Sequence, residues 1–481
     1  MEDKIIFSSV MLHKRILVIL DNQVDFISIN HLAKLLKIPS VNSVKRSCDN
    51  LRQSITANFD DSQVELLMSK SKGIKLKRNS VNIRRIVEKL YEEEFFYSVF
   101  KYLYSKRSVS TTEFCLSNHV SESQLRRKIR YANQELNKYN VHISVGSRIS
   151  VKGDEFKIRS WGFSFLYLVH GSIRDVSWIK NSNFYIDIAR EVLSHLEVST
   201  TDYMVDIVAL LCYINYKTKD SPYRLKLTKE KEQYLKQISF PPPPKNLENW
   251  NHADWIYLVT ALYGFNLFDF KLTIDPSRIK SGISLVYMDS WISFFEEEFR
   301  ILTDDEKNNL YKNYYKDILL FRIVQMDADF LVSFTTIDTK RISSQYPTFY
   351  QKFERFWSNF LKANPSRGSD YLRNESLLTC LNLTPAKELL PTVSVYLFTN
   401  YPVVISNFLK DRITVHFTNS YHVKFTLDTE EADLFISTSC RTPTPQNKEI
   451  AAKPTVIVNR QPSARDFQLL EEAMEKVIKI Y

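Results

Sequence analysis

Glycine is nearly absent from this 481-residue chain, which holds only eight. Phosphate-cradling loops need several glycines within a few residues, so this scarcity argues against the Gly-rich nucleotide-binding folds. The five cysteines (Cys48, Cys115, Cys212, Cys380 and Cys440) are scattered, with no C-x-x-C pair. That spacing argues against a disulfide framework or a zinc site and suits a reducing compartment. Apolar runs such as Phe163–Val169 are too short to span a membrane. The opening Met1-Glu2-Asp3-Lys4 lacks the basic and apolar regions of a signal peptide, so a cytoplasmic protein with no membrane partner is expected. The sequence also has no G-x-x-x-x-G-K-[ST], H-E-x-x-H or G-x-S-x-G. The acidic runs Glu92-Glu93-Glu94 and Glu296-Glu297-Glu298 read as solvated helix faces. No catalytic residue, metal site or cofactor is therefore expected, and the chain is not read as an enzyme.

Aromatic residues are plentiful, with 31 Phe and 26 Tyr in a chain that is 44% apolar. That composition favours helical domains packed through rings, and the length suggests about three or four of them. The net charge of +10 is uneven. Residues 1–160 carry a net +11 and the remainder a net −1. A basic head on a neutral body points to a polyanion partner.

The basic third contains an internal repeat. Leu32 aligns with Phe114 and Ile38 with Val120, both 82 residues apart. Val44, Cys48, Leu51 and Ile55 align with Leu125, Ile129, Ala132 and Leu136, all 81 apart, so the first copy holds one extra residue in its turn. Each copy reads as helix, short turn, helix. Ser28 and Ser110 are candidate N-caps, and Ser121-Glu122-Ser123-Gln124 forms a capping box. The β-like stretches Gly73–Lys77, His142–Val145 and Arg148–Val151 follow, which completes a winged-helix layout. Arg85–Ser105 reads as one aromatic-rich helix between the copies, and about 155–390 reads as helical, broken by Pro241-Pro242-Pro243-Pro244. Beyond 390, Val393–Phe398, Ile413–Phe417, Asp433–Ser437 and Pro454–Val458 read as short strands, with helices near Pro402–Lys410 and at Ala464–Ile478. Strands alternating with helices predict a small α/β domain.

The second helix of each copy is expected to enter a DNA major groove. Its outward residues in the first copy are Asn42, Ser43, Lys45, Arg46, Asn50 and Arg52, and in the second Ser123, Gln124, Arg126, Arg127, Lys128 and Arg130. Arg suits guanine O6/N7 and Asn or Gln suits adenine, while Lys and Ser more often meet phosphates. Lys72, Lys75, Lys77, Arg78 and Arg148 are candidate wing contacts to the backbone.

Two helix-turn-helix copies, the entry Gly153-Asp154-Glu155-Phe156-Lys157-Ile158-Arg159-Ser160-Trp161, a helical middle and an α/β tail resemble the Mga/AtxA family of Gram-positive virulence regulators. The resemblance implies a mainly α, multidomain protein. Its parts would be a winged helix-turn-helix at 1–80, a linker helix and second winged helix-turn-helix at 81–158, helical domains similar to phosphotransferase-system regulation domains (PRDs) at 159–275 and 276–388, and an enzyme IIB-like tail at 389–481. It further implies an activator working as a homodimer or larger oligomer on double-stranded DNA. Histidine phosphorylation by the sugar phosphotransferase carrier would modulate it, with His195 and His252 as candidates and His170 a weaker one. Two departures stand out. Residues 253–415 contain no histidine, and Thr399-Asn400-Tyr401-Pro402 has no cysteine where a working IIB domain places its nucleophile. An RNA-binding antiterminator with similar regulation domains is the alternative, although a β-rich RNA module would then be expected at the front.

Overall fold

The computed structural model describes residues 7–199, 201–218, 223–235, 238–247, 250–265, 273–274, 286–326, 331, 339–365, 369–439 and 453–480. The chain divides into two compact units, residues 1–283 with 312–333 and residues 284–311 with 334–481. Both are mainly helical, and the second ends in a small parallel sheet.

In the first unit, α1 (Ser8–Asp21) packs against α2 (Ile29–Leu36) and α3 (Val41–Asn58). The hairpin of β1 (Val64–Ser69) and β2 (Gly73–Arg78) follows. β2 is the β-like stretch expected at Gly73–Lys77, whereas β1 has no counterpart among the expected strands. After them, α4 (Ile83–Glu92) and α5 (Phe95–Lys106) replace the single helix expected at Arg85–Ser105. Glu94 is the reason for that break. It stands in extended conformation (φ −77°, ψ 137°) as the N-cap of α5. The second copy consists of β3 (Ser108–Ser110), α6 (Thr111–Ser117), α7 (Glu122–Leu136), β4 (Val141–Val145) and β5 (Arg148–Gly153), its antiparallel sheet ordered β3-β5-β4.

The repeat is written into the backbone as well as the side chains. Leu32 and Phe114 are both fully buried, and so are the four aligned pairs on α3 and α7. Lys37 and His119, 82 residues apart, both adopt a left-handed conformation (φ 57° and 51°) that non-glycine residues rarely take. The next amide in each copy donates back to the helix, Ile38 to Ala33 and Val120 to Cys115. Ser40 and Ser121 cap the second helices, so Pro39 is the extra residue of the first turn. Even the third strand survives in the first copy as a single bridge from Ile27 to Ile74, where Val109 pairs with Ile149 in the second. Gly73 (φ 101°) makes that bridge possible, since a Cβ there would lie 2.1 Å from the Ile27 carbonyl oxygen.

Behind the second copy, α8 (Glu155–Val169) runs through an aromatic cluster of Tyr97, Phe100, Tyr104, Trp161 and Phe165. Gly162 lets the Tyr104 ring lie against the helix, as a Cβ would sit 2.0 Å from it. Next come α9 (Ser182–His195), α10 (Asp202–Tyr216), α11 (Lys229–Leu235) and α12 (His252–Gly264), of which α10 and α12 are buried along most of their length. The tetraproline run is non-helical, and a pair of two-residue strands, β6 (Ile238–Ser239) with β7 (Thr273–Ile274), interrupts the helical stretch.

The second unit contains α13 (Val286–Glu298), most of whose partners lie on α16 (Pro347–Ala363), with α15 (Thr339–Gln345) between them in sequence and α17 (Asp370–Leu383) after, while α14 (Asp304–Leu319) gives its residues 304–311 to this unit and 312–319 to the first. Trp291, Phe295, Phe356 and Phe360 build its ring-on-ring core. The tail has β8 (Thr392–Phe398), α18 (Val403–Phe417), β9 (His422–Thr426), β10 (Leu434–Ser437), β11 (Thr455–Ile457) and α19 (Ala464–Ile480). Its sheet is parallel throughout, ordered β11-β10-β8-β9. The expected strand at Ile413–Phe417 is instead the end of α18. Its β-branched residues mimic a strand, but Leu409, Ile413 and Phe417 recur every four residues and face the core. The edge strand β9 is an addition to the expected strands, and its residues, only half-buried or exposed, give it no apolar run. Cys440 lies outside the described residues.

Candidate nucleic-acid interface

All ten sequence-predicted contact residues (Asn42, Ser43, Lys45, Arg46, Arg52, Ser123, Gln124, Arg126, Arg127 and Arg130) are exposed on α3 or α7. Their surroundings separate them into two groups. On α7 the core residues Leu125, Ile129, Ala132 and Leu136 define one face. Ser123, Arg127 and Arg130 fall on the opposite face at helical spacing. Arg127 and Arg130 have no ion pair or hydrogen bond among the described residues, so both guanidinium forks are available.

Arg126 and Gln124 are already engaged. Arg126 donates through Nε to Glu122 (2.9 Å) and through Nη1 to the Val145 carbonyl at the end of β4 (2.6 Å), which ties the helix to its hairpin. The Gln124 side chain accepts from the Ser121 amide (3.1 Å) to close the capping box. Ser123 shares a hydroxyl contact with Ser121 (3.0 Å). Lys128 lies 4.1 Å over the Phe95 ring.

On α3 the equivalent outward positions are Asn42, Arg46 and Asp49, so an acid stands where the second copy has Arg130. Asp49 also lies 3.9 Å from Arg52. Lys45 and Arg46 have no partner among the described residues, whereas Ser43 is bonded to the Ser40 cap (3.0 Å). The first copy is therefore the less cationic of the two on its outward face. Its hairpin compensates, because Lys70 and Lys72 flank the exposed β1–β2 tip while the β4–β5 tip is the uncharged Gly146-Ser147. Lys70 is not among the expected wing contacts, because it lies on the β1 side of the turn and outside the Gly73–Lys77 stretch. Of the other wing candidates, Arg78 is bonded to Asp21 and Arg148 to Ser108 (Nε to Oγ, 2.6 Å), while Lys75 lies 5.9 Å over Phe26.

The three histidines differ sharply. His170 is buried, with Nε2 bonded to the Tyr97 hydroxyl and Nδ1 to Glu88 (each 2.7 Å). Glu88, Glu92 and His170 bring possible metal-ligand atoms within 4.8 Å of one another. The two carboxylates are already paired with Arg85 and Lys89. His195 is the exposed last residue of α9, and its Nε2 donates to the Pro242 carbonyl (2.7 Å). His252 is the exposed first residue of α12, just after the Asn251 cap.

Among the described residues no helix is long and apolar enough to cross a membrane. No curated protein matches the chain. Residues 79–167, which run from the end of the first copy through the second and into α8, match the family described as the Mga helix-turn-helix domain. Over that stretch the chain is similar to Mga-type regulators, and the domain suggests a DNA-binding regulator of transcription.

Proposed function

We propose that the chain activates virulence or metabolic genes by gripping duplex DNA with two winged helix-turn-helix heads, as a cytoplasmic, non-enzymatic homodimer or larger oligomer. The observation that carries this reading is the free pair Arg127 and Arg130, set opposite the buried stripe of a capped helix whose segment matches the Mga domain. A major groove accepts such a helix, and a fork of this kind reads guanine. Affinity of the full chain for duplex DNA should fall by about 0.9 log units per log unit of salt for each phosphate met. Arg127→Ala with Arg130→Ala should cost about 1–3 kcal/mol per lost base contact and relax sequence preference. Lys45→Ala with Arg46→Ala should cost less. Gel-shift titrations on a selected duplex and on hairpin RNA check this. Preference for the hairpin would favour the antiterminator reading instead.

The helical stretches 159–275 and 276–388 are read as PRD-like, and the tail as IIB-like but chemically silent. The 2-1-3-4 order of its parallel strands agrees with a doubly wound fold. Thr399 stands after β8 where the nucleophilic cysteine would be, its hydroxyl 3.0 Å from that of Thr438. If the phosphotransferase carrier modulates this protein, helix electrostatics rank its targets. A phosphate on His252 would sit at the positive N-terminal end of α12, whereas on His195 it would sit at the negative end of α9. His170 is sealed from any carrier protein. Incubation with the carrier, its kinase and phosphoenolpyruvate should give acid-labile phosphate at His252 in preference to His195. Label on neither would leave the helical domains as plain dimerisation or sensing modules.

A further inference from the structure

Three buried charges and the half-buried Glu155 link the second helix-turn-helix to the helices behind it. Arg107 is the αL residue (φ 61°) between α5 and β3, three residues before the Ser110 cap of α6. Its guanidinium donates to Glu155 at the start of α8 and lies 4.7 Å over the Tyr223 ring. The other Glu155 oxygen accepts from Arg159 Nε (3.2 Å). Arg159, wholly buried, donates through Nη1 to Asp254 on α12 (2.5 Å) and to Asn215 on α10 (2.8 Å), and through Nη2 to the Tyr223 carbonyl (3.3 Å). Stability alone does not explain the arrangement, since apolar residues of similar volume usually serve a core as well as a buried ion pair does. What such pairs add is direction and register, because each bond holds only in one geometry. Here every bond crosses between elements or aligns two that do. At the near end, the strand after Arg107 is fixed in turn, as Arg148 bonds both the hydroxyl and the carbonyl of Ser108.

We propose that Arg107, Glu155, Arg159 and Asp254 are positioning residues for DNA recognition, a relay through which α12 and α10 set the pose of α6 and α7. This rests on the DNA-binding reading above. Asp254 is also two residues from the exposed start of α12, so a change of charge or partner at that helix end would act on the relay directly.

The test uses the full chain and a duplex selected by the wild-type protein from a random pool. Arg107→Met keeps the side-chain volume and removes one bond, and Asp254→Asn removes the charge at the far end. Each should weaken binding to the selected duplex by about tenfold. The two losses should be less than multiplicative in the double variant, although no hydrogen bond joins Arg107 to Asp254. Arg107→Lys should recover most of the affinity. Arg190→Met, which breaks the exposed Arg190–Asp187 pair on α9, should change nothing. Melting curves recorded in parallel separate a shifted pose from general unfolding. If Arg107→Met does not fold, Arg107→Lys and Asp254→Asn carry the same comparison. Folded variants that bind like wild type, or losses that multiply independently, overturn the relay and leave the DNA reading intact. A wild-type chain that selects no duplex overturns the DNA reading itself.

Discussion

Phe114→Ala is expected to destabilise the second helix-turn-helix by about 3–5 kcal/mol, the range for emptying a fully buried aromatic site. Phe114 has no solvent exposure and meets two rings edge-on, Phe95 at 5.9 Å and Tyr102 at 5.3 Å between centroids. Neither ring can follow a shrinking side chain, because both are carried on α5, which is itself packed through Phe100 and Tyr104 against α8. The cavity should stay open, and the loss should fall on α6 and α7. Hydrogen exchange is the measurement. Amides of α7 should lose protection while those of α10 and α12 keep theirs, and duplex binding should fall with them. The aligned Leu32→Ala is expected to cost about 2–5 kcal/mol in the first copy, with a smaller effect on DNA affinity. Undiminished protection of α7 in Phe114→Ala would show that this ring does not anchor the unit.

How far the sequence told this story depends on where each signal lay. The repeat was legible because the core of a helix pair admits few side chains, so Leu32/Phe114 and the four pairs on α3 and α7 kept their spacing. The left-handed Lys37 and His119 were not legible, since neither is the glycine or asparagine that usually marks such a turn. The contact residues could be placed on the outside by periodicity, but periodicity does not say which cations are already used. Only geometry shows Arg126 held by Glu122 and Val145 while Arg127 stays free. The Glu94 break went unseen because no proline or glycine marks it, and α18 was misread because β-branched residues served a helix. Arg159 lies within the entry segment Gly153–Trp161, where nothing in the sequence sets it apart. Its partners Asn215 and Asp254 are 56 and 95 residues away in sequence, beyond the reach of any local pattern.

That same residue supports the second large expectation. Arg159→Ala should cost about 3–5 kcal/mol, because it leaves the buried Asp254 carboxylate without its arginine and Glu155 with Arg107 alone. Asp254 would lose the Arg159 bond to its Oδ1, and its Oδ2 has no hydrogen-bond partner among the described residues. The pH dependence has a definite sign. Burial pushes the carboxyls of Glu155 and Asp254 above their ordinary values, although arginines oppose the rise, with Arg107 and Arg159 acting on Glu155 and Arg159 on Asp254. A carboxyl raised in the folded state binds its proton more tightly there than in the unfolded chain. Its contribution to stability is therefore greatest at low pH and is lost as pH rises from the unfolded value through the folded one. Removing Arg159 raises both groups further, so the gap between variant and wild type should be narrower at about pH 5 than at about pH 8. Urea denaturation of the two proteins side by side measures it, and comparison at each pH cancels titrations the proteins share. Pairing Arg159→Leu with Asp254→Leu should recover much of the stability, because it removes the second charge with the first. A gap that is constant with pH would mean the destabilisation comes from the lost packing of the Arg159 stem and not from stranded charge.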